Sequence, residues 1–596
     1  MPLTEIAGQK LNPQQGAYLD GWFAGLRNRG FTFGDIVPPP STAPAAVSLD
    51  DLIPEERIKR ELHPLDAYPL LLQHAAADQA PDRENTFRFK WNGLFYLAPN
   101  HEGYMARLRI PGGQLFSFQL RELAAVAEQL TTGYIQITTR ANLQMRLIRP
   151  RDTVEFLRRV QATGLHTRGA GADNVRNLTC DPTSGVDPAE LIETLPLTLG
   201  LAQLILNHRE FYDLPRKFNI AFHGGGKIPT VEDTNDIGFK AVRVLATASA
   251  TTAPGGPRVG DIISDEVEPG VYFRVALGGA TGHKAFARDL GVLVRPPEAL
   301  KVASALLRVY VTHGNRTDRK KARLKHLLEQ WTLDRYLAET ETLLGHALLR
   351  VPAAGANASS VTAPAEDPHP QVGVYPQRQR GLNWIGVAVP VGQVTARQLR
   401  RLAEISELYG TGEIRMTVWQ NFVIPNVSDA YVETVKKAVL KMGFDWRQSN
   451  LKSGFIACTG NAYCKFASSN TKGHALELIK YLDARIQLDQ PVNIHLTGCP
   501  NSCAQHYMGD LGLLGATVKV GGESREGYHI FVGGGFGGRQ AIGRQLFQGV
   551  ALHELKETVE KILRGYLKHR NFGESFQSFT VRHEIGRLQE LFTQET

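Results

Sequence analysis

The chain repeats itself once, at very long range. LRELAAVAEQLTTGYIQITTRANLQ (Leu120–Gln144) aligns without a gap on LRRLAEISELYGTGEIRMTVWQNFV (Leu399–Val423). Leu120 falls on Leu399, Leu123 on Leu402, Gly133 on Gly412, Thr138 on Thr417 and Asn142 on Asn421, a constant offset of 279 residues. Gly113-Gln114 falls on Gly392-Gln393 and Gly164 on Gly443 in the same register. A period this long means a duplicated domain, because solenoid repeats are far shorter. Within each copy MARLRI (Met105–Ile110) or IGVAV (Ile385–Val389) reads as a strand. In the first copy, Leu120, Leu123, Ala124, Ala127 and Leu130 have helical spacing, and Gly133 ends that helix. IQITT then reads as a strand and DTVEFLRRVQATG as a helix. Strand, helix, strand, helix is a ferredoxin-like half, and two such halves can pair about a pseudo-twofold axis.

The remaining length sets the rest of the architecture. A 596-residue chain with 42% hydrophobic residues holds several cores. Two Pro/Ala-rich stretches, VPPPSTAPAAV and Pro352–Pro370, read as linkers. The expected organisation is an N-terminal extension and linker over residues 1–90 and a first ferredoxin-like half over 91–170. A larger α/β domain follows over 171–351 and a linker over 352–370. The second half spans 371–447 and a second α/β domain 448–596. The fold class is therefore α+β and internally duplicated. The opening MPLTEIAGQKLNPQQ has no apolar run, and no segment is long and apolar enough for a membrane. A cytoplasmic protein is expected. The net charge of +8 suits an acidic partner, whether nucleic acid, anionic cofactor or acidic protein.

Four of the five cysteines fall in two pairs, in CTGNAYC (Cys458, Cys464) and TGCPNSC (Cys499, Cys503). A secreted disulfide framework would spread them. Four thiolates suit an iron–sulfur cube or zinc. Structural zinc usually takes closer spacings than the five-residue gap in the first pair, but spacing alone leaves both metals open. A zinc-stapled, basic nucleic-acid-binding protein is the alternative of a different class. Cys180 has no neighbouring cysteine and reads as a small buried residue.

The two cysteine motifs, C-T-G-x-x-x-C and T-G-C-P-N-x-C, resemble the ligand pairs of the sirohaem-dependent nitrite and sulfite reductases. The likeness runs from about Trp91 to the C-terminus and includes the duplication. It implies a [4Fe–4S] cluster held by Cys458, Cys464, Cys499 and Cys503, with Cys503 also ligating the sirohaem iron. It implies six-electron reduction of nitrite to ammonia, with ferredoxin-dependent sulfite reduction as the alternative. A family member repurposed for corrinoid biosynthesis is a further option. The resemblance carries Arg107 in MARLRIPGG, Arg176 in DNVRN, and Lys217 and Asn219 in LPRKFN to the catalytic face. Arg140, Arg216, Asn315, Arg316 and Lys320 are implied sirohaem contacts. In the sulfite reductases the position of Asn219 looks like lysine, which makes nitrite the expected substrate here. Some of them carry a Tyr–Cys crosslink whose cysteine position is Gly171 in this chain, so no crosslink is expected.

HGGGK (His223–Lys227) and GGATGHK (Gly278–Lys284) lack the phosphate-loop pattern, and GGGFGG (Gly533–Gly538) reads as a tight turn after a strand. No dinucleotide fingerprint follows a strand, so electrons are expected from reduced ferredoxin rather than NADPH. Neither nucleic acid nor membrane is expected as a partner.

Overall fold

The computed structural model describes residues 5–6, 9–10, 52–249, 260–351 and 369–593. The N-terminal stretch Leu11–Phe33, the first linker and residues 352–368 of the second lie outside the described residues. The first half contains β1 (Leu94–Tyr96), β2 (Tyr104–Arg107), β3 (Gln114–Phe116), α1 (Ser117–Leu130), β4 (Tyr134–Ile137), β5 (Leu143–Ile148) and α2 (Thr153–Ala162). The expected helix is α1, and Gly133 follows it at φ +82°. The additional strands are β1, β3 and β5, and β5 pairs antiparallel with β4. Its polar residues Gln144 and Arg146 hide it in the sequence. Arg146 is buried all the same.

The first large domain places α3 (Leu195–Asn207) and α4 (Ala299–His313) around a sheet that includes β6 (Ile220–His223), β7 (Ile237–Leu245), β8 (Gly270–Leu277) and β9 (Arg288–Val294). The second half repeats the first with β10 (Gly373–Pro376), β11 (Leu382–Val387), β12 (Gln393–Thr395), α5 (Ala396–Tyr409), β13 (Glu413–Met416), β14 (Phe422–Ser428) and α6 (Val432–Lys441). The second large domain has β15 (Phe455–Ala457), α7 (Thr471–Asp483), β16 (Ile494–Thr497), β17 (Leu511–Val520), β18 (Glu523–Val532), β19 (Arg544–Ala551) and α8 (Leu552–His569). Both large sheets run parallel at β6–β7 and β16–β17, then antiparallel. Among the described residues no helix is long and apolar enough to cross a membrane.

The halves do more than sit side by side. Strand β3 leaves its own half and pairs with β13, with Leu115 opposite Ile414. Strand β12 does the reverse and pairs with β4, with Val394 opposite Ile135. Each residue of one exchange is the other's image at the 279-residue offset. The ion pairs Arg121–Glu407 and Arg400–Glu128 obey the same symmetry. So do the helix caps, where Gln119 accepts from the Phe116 N–H and Gln398 from the Thr395 N–H, both at 2.9 Å. The two halves therefore share one core, in which Leu115, Ile135, Val394 and Ile414 are all buried. This shared body carries both large domains and fixes the cysteine loops against the first half.

Candidate active site

Strand β15 ends at Ala457, and Cys458 continues its pairing by donating its N–H to Leu496 O at 3.0 Å. The sulfur of Cys458 accepts the Gly498 N–H at 3.2 Å, which ties the first cysteine motif to the second. Gly460 is required in C-T-G. Its φ is +72°, and a Cβ there would lie 2.6 Å from the Thr471 nitrogen. Asn501 donates to the Cys499 sulfur at 3.5 Å. Cys503 is held from the first half, where the Thr139 hydroxyl donates to its carbonyl at 2.9 Å. The thiols perturb one another. Burial, then Cys458, Cys499 and Cys464, push Cys503 up to about 12 while Lys217 opposes them. Such thiols ionise together only when bound metal supplies the positive charge. Among the described residues no three His, Cys, Asp or Glu side chains converge on a point that one metal ion would fill. Thiolates around a four-iron cube each meet a different iron and need no such convergence.

A cationic wall faces these thiols. Arg107 lies over the Phe95 ring at 4.7 Å and donates to Ala170 O at 3.2 Å. Arg176 donates to Ala170 O at 2.9 Å and Ala172 O at 2.8 Å, and its Nε is buried without a partner. Arg140 reaches Asn177 O at 3.2 Å. Among the described residues Lys217 makes no hydrogen bond. Among the described residues none of these four cations makes an ion pair. Each is half-buried, and Cys503 is exposed, yet protein encloses them all. Burial lowers Arg107 and Arg176, lowers Arg140 to about 10, and together with Arg323 takes Lys217 to about 7. Accessible but desolvated cations are what the lining of a deep cleft presents, and an anionic occupant would compensate them. Cys503 stands where the two sets meet, within electrostatic reach of both Arg107 and Lys217.

Phe218, between Lys217 and Asn219, is fully buried and packs on Tyr310. The two polar side chains therefore project to the opposite, accessible face. The Asn219 N–H donates to Asp236 at 2.8 Å, but among the described residues its side-chain amide makes no hydrogen bond. Arg216 faces Asp173 at 3.7 Å. Asn315 and Arg316 make their contacts away from this wall. The basic run forms a short 3₁₀ turn at Arg319–Lys321 rather than a continuous helix face, which changes the direction of each side chain. Arg316 pairs with Glu56 at 2.8 Å and Asp213 at 3.4 Å, and Asn315 accepts the Asp318 N–H at 2.8 Å. Both line a separate hollow of about 280 Å³, while Lys320 is exposed. Two neighbours in the same run turn inward: Arg319 pairs with Asp173 at 2.9 Å and Arg323 with Asp236 at 2.9 Å. Sequence reasoning missed Arg323, Asp236 and Thr139. Their one legible signal was proximity to motifs already singled out.

Two family profiles match the chain. The "Nitrite and sulphite reductase 4Fe-4S domain" matches residues 171–348 and 451–582, and the "Nitrite/Sulfite reductase ferredoxin-like half domain" matches 96–163 and 375–442. The chain belongs to the nitrite and sulphite reductase family. A ferredoxin–nitrite reductase of Synechococcus elongatus is 35% identical over 81% of this chain and 89% of its own. A ferredoxin sulfite reductase of Mycolicibacterium paratuberculosis is 30% identical over 84% of this chain and 89% of its own. The structure of the Mycobacterium tuberculosis NirA protein superposes with a TM-score of 0.80 at 27% identity, covering 90% of this chain and 97% of that one. Members of the family bind sirohaem and a [4Fe–4S] cluster. The residues present fit both groups: four thiols for the cluster, and unpaired cations for a macrocycle bearing carboxylates. At Gly171 a Cβ would lie 2.5 Å from both Lys90 O and the Phe95 ring, so no side chain fits at the crosslink position.

The duplication in this reductase fold is deliberately unequal at the cluster. Gly498 donates to the Cys458 sulfur, and the matching Gly224 in the first large domain donates to the Asp181 carboxylate. Thr471 Oγ1 lies 3.5 Å from the Cys458 sulfur, and Thr194 Oγ1 donates to Asp181 at 3.1 Å. Asp181 thus occupies the position that Cys458 holds in the second large domain, and His223 at 2.7 Å supplies the positive charge. The HGGGK loop spends its N–H groups on the chain's own Asp181 and Asp187. Burial alone would lower His223, but Asp181, helped by Glu232, raises it to about 9. A raised histidine contributes stability fully below its unfolded value near 6.5, and loses it as pH rises through 9. We expect His223→Gln to lower the apparent melting temperature at pH 6, by a stability loss on the order of 2–3 kcal/mol. The difference from wild type should disappear by pH 10. A difference unchanged across that range would refute the charged pair.

Proposed function

We propose that the protein reduces nitrite to ammonia, taking six electrons one at a time from reduced ferredoxin. The reading rests on one juxtaposition: the four-thiol set and the unpaired cationic wall meet at Cys503. Cys458, Cys464, Cys499 and Cys503 would hold the cluster, and Cys503 would also reach the sirohaem iron. When bound, the two groups supply electron relay and reduction. Arg107 and Arg176 draw the anion into a desolvated cleft, where fixed charge acts more strongly than in water. Lys217, held near 7 by burial and neighbouring cations, gives up a proton more readily than an exposed lysine. The Asn219 amide is free to hydrogen-bond a monoanion.

The test is an anaerobic assay with nitrite and sulfite side by side, each driven by reduced ferredoxin or a viologen dye. The purified chain should be coloured, contain about four non-haem irons and one sirohaem, and prefer nitrite by kcat/KM. Ferredoxin-driven turnover should fall as salt screens the encounter of a basic enzyme with an acidic donor, while viologen-driven turnover should not. Turnover with NADPH alone would contradict the proposed donor. A colourless, zinc-bearing protein would overturn the reading altogether.

A further inference from the structure

Two buried cations flank Cys458, and neither meets a carboxylate. Lys472 is 7% exposed and donates to Ala457 O at 3.2 Å and to Val391 O. Arg146 is 2% exposed and donates to the Thr459 hydroxyl at 2.6 Å, to Gln136 Oε1 at 2.7 Å and to Gln144 Oε1 at 2.7 Å. One cation is thus anchored on the residue before the cysteine and the other on the residue after it. All their partners are neutral. Burying an unmatched charge costs several kcal/mol, so both positions are unfavourable unless something anionic lies beside them. Lys472 adds a local violation. It sits in the first turn of α7, where the helix dipole disfavours a cation. Residues that break a local rule are expected where function requires them. Burial lowers Lys472 to about 7 and Arg146 to about 10; the Cys458 thiol opposes that shift at Lys472, and Tyr134 and then Cys464 oppose it at Arg146, so an anionic cluster on these thiols would hold both cations charged.

We propose that Lys472 and Arg146 are the counter-charges of the [4Fe–4S] cluster and raise its reduction potential. The inference rests on the cofactor assignment above. A cluster held by four thiolates is an anion and gains one more negative charge when the donor delivers an electron. Nearby fixed positive charge stabilises the reduced form more than the oxidised form, and burial preserves the effect from screening. The charge sits on the protein side of Cys458, so it acts on electron acceptance without touching the substrate.

The experiment is a spectroscopic redox titration of the purified holoenzyme, following the reduced-cluster EPR signal. Lys472→Met and Arg146→Gln each remove a charge at similar volume, and Lys472→Arg retains it. Each neutral variant should shift the cluster midpoint to more negative potential, by on the order of a tenfold change in the reduced-to-oxidised ratio, or about 59 mV for one electron. Lys472→Arg should stay near wild type. Fully loaded neutral variants with the wild-type midpoint would overturn the proposal. Loss of the cluster from Lys472→Met alone would support it, whereas equal loss from Lys472→Arg would show that shape, not charge, is required. Wild-type protein without iron would instead defeat the cofactor assignment itself.

Discussion

Replacing Cys503 with serine should abolish nitrite reduction and the shared spectroscopic signature of the two cofactors. Serine has nearly the same size, but its hydroxyl is a hard, weakly acidic donor and cannot replace a thiolate on iron. The position is the meeting point of the site. Thr139 fixes the Cys503 backbone from the first half, and its thiol acts on both Arg107 and Lys217. Loss of a residue that merely orients a metal ligand typically costs 10–100-fold, so loss of a shared ligand should exceed about 100-fold. The measurements are iron content, the visible spectrum and dye-driven turnover. Cys180→Ser provides the contrast. Cys180 is buried, its thiol pushed up to about 12 by that burial, and it lies against Gly112. That variant should keep both cofactors and full turnover, with at most a stability cost. A Cys503→Ser protein that kept its sirohaem absorption and its activity would show that the thiolate does not join the two centres.

The residues that could be read in the sequence are those whose chemistry is local. Two cysteine pairs and a helix stopped by Gly133 are visible because each depends on near neighbours, and the repeat is visible because each copy carries the same local pattern. The exchange of β3 and β12 between halves is not, since it depends on how two distant copies face each other. Its trace survives only as conserved spacing within the repeat, with Leu115 and Val394 related by the same offset as Ile135 and Ile414. Strand β5 escaped for a different reason. Gln144 and Arg146 look like surface residues, but Arg146 is buried and Gln144 half-buried, because together they support the Cys458 loop from across the domain boundary. The path of the basic run was hidden for a related reason: the backbone turns at Arg319–Lys321 and divides the run. Arg316 goes to the ion pairs with Glu56 and Asp213, and Arg323 goes to Asp236. Composition predicts a basic pocket, but only the backbone path decides which arginine reaches it.

Substrate choice should turn on Asn219, and the duplication shows why its amide is available. In the second large domain the matching residue is Asn493. Its N–H donates to Asp510 at 2.7 Å, and its side-chain amide donates to the same carboxylate at 3.2 Å. In the first large domain the Asn219 N–H makes the equivalent bond to Asp236. There, however, Arg323 engages both Asp236 oxygens, at 3.0 and 2.9 Å. The carboxylate is neutralised and geometrically occupied, so the Asn219 side chain is released beside Lys217. A neutral amide hydrogen-bonds a monoanion such as nitrite without adding charge to a wall that already holds Lys217, Arg107 and Arg176. Sulfite is a mixture of monoanion and dianion at neutral pH, and its dianion would be better matched by a second ammonium. Asn219→Lys should therefore raise the sulfite-to-nitrite ratio of kcat/KM by about 10- to 100-fold, the effect of one charged contact of 1–3 kcal/mol. The new ammonium would also repel Lys217, so nitrite turnover should fall and sulfite should recover more of it than nitrite does. Asn219→Asp should move the ratio the other way, because a carboxylate there repels the dianion more than the monoanion. Both substrates must be measured on all three proteins with the same donor. A wild type that prefers sulfite, or a ratio unmoved by either change, would show that selection lies elsewhere in the cleft.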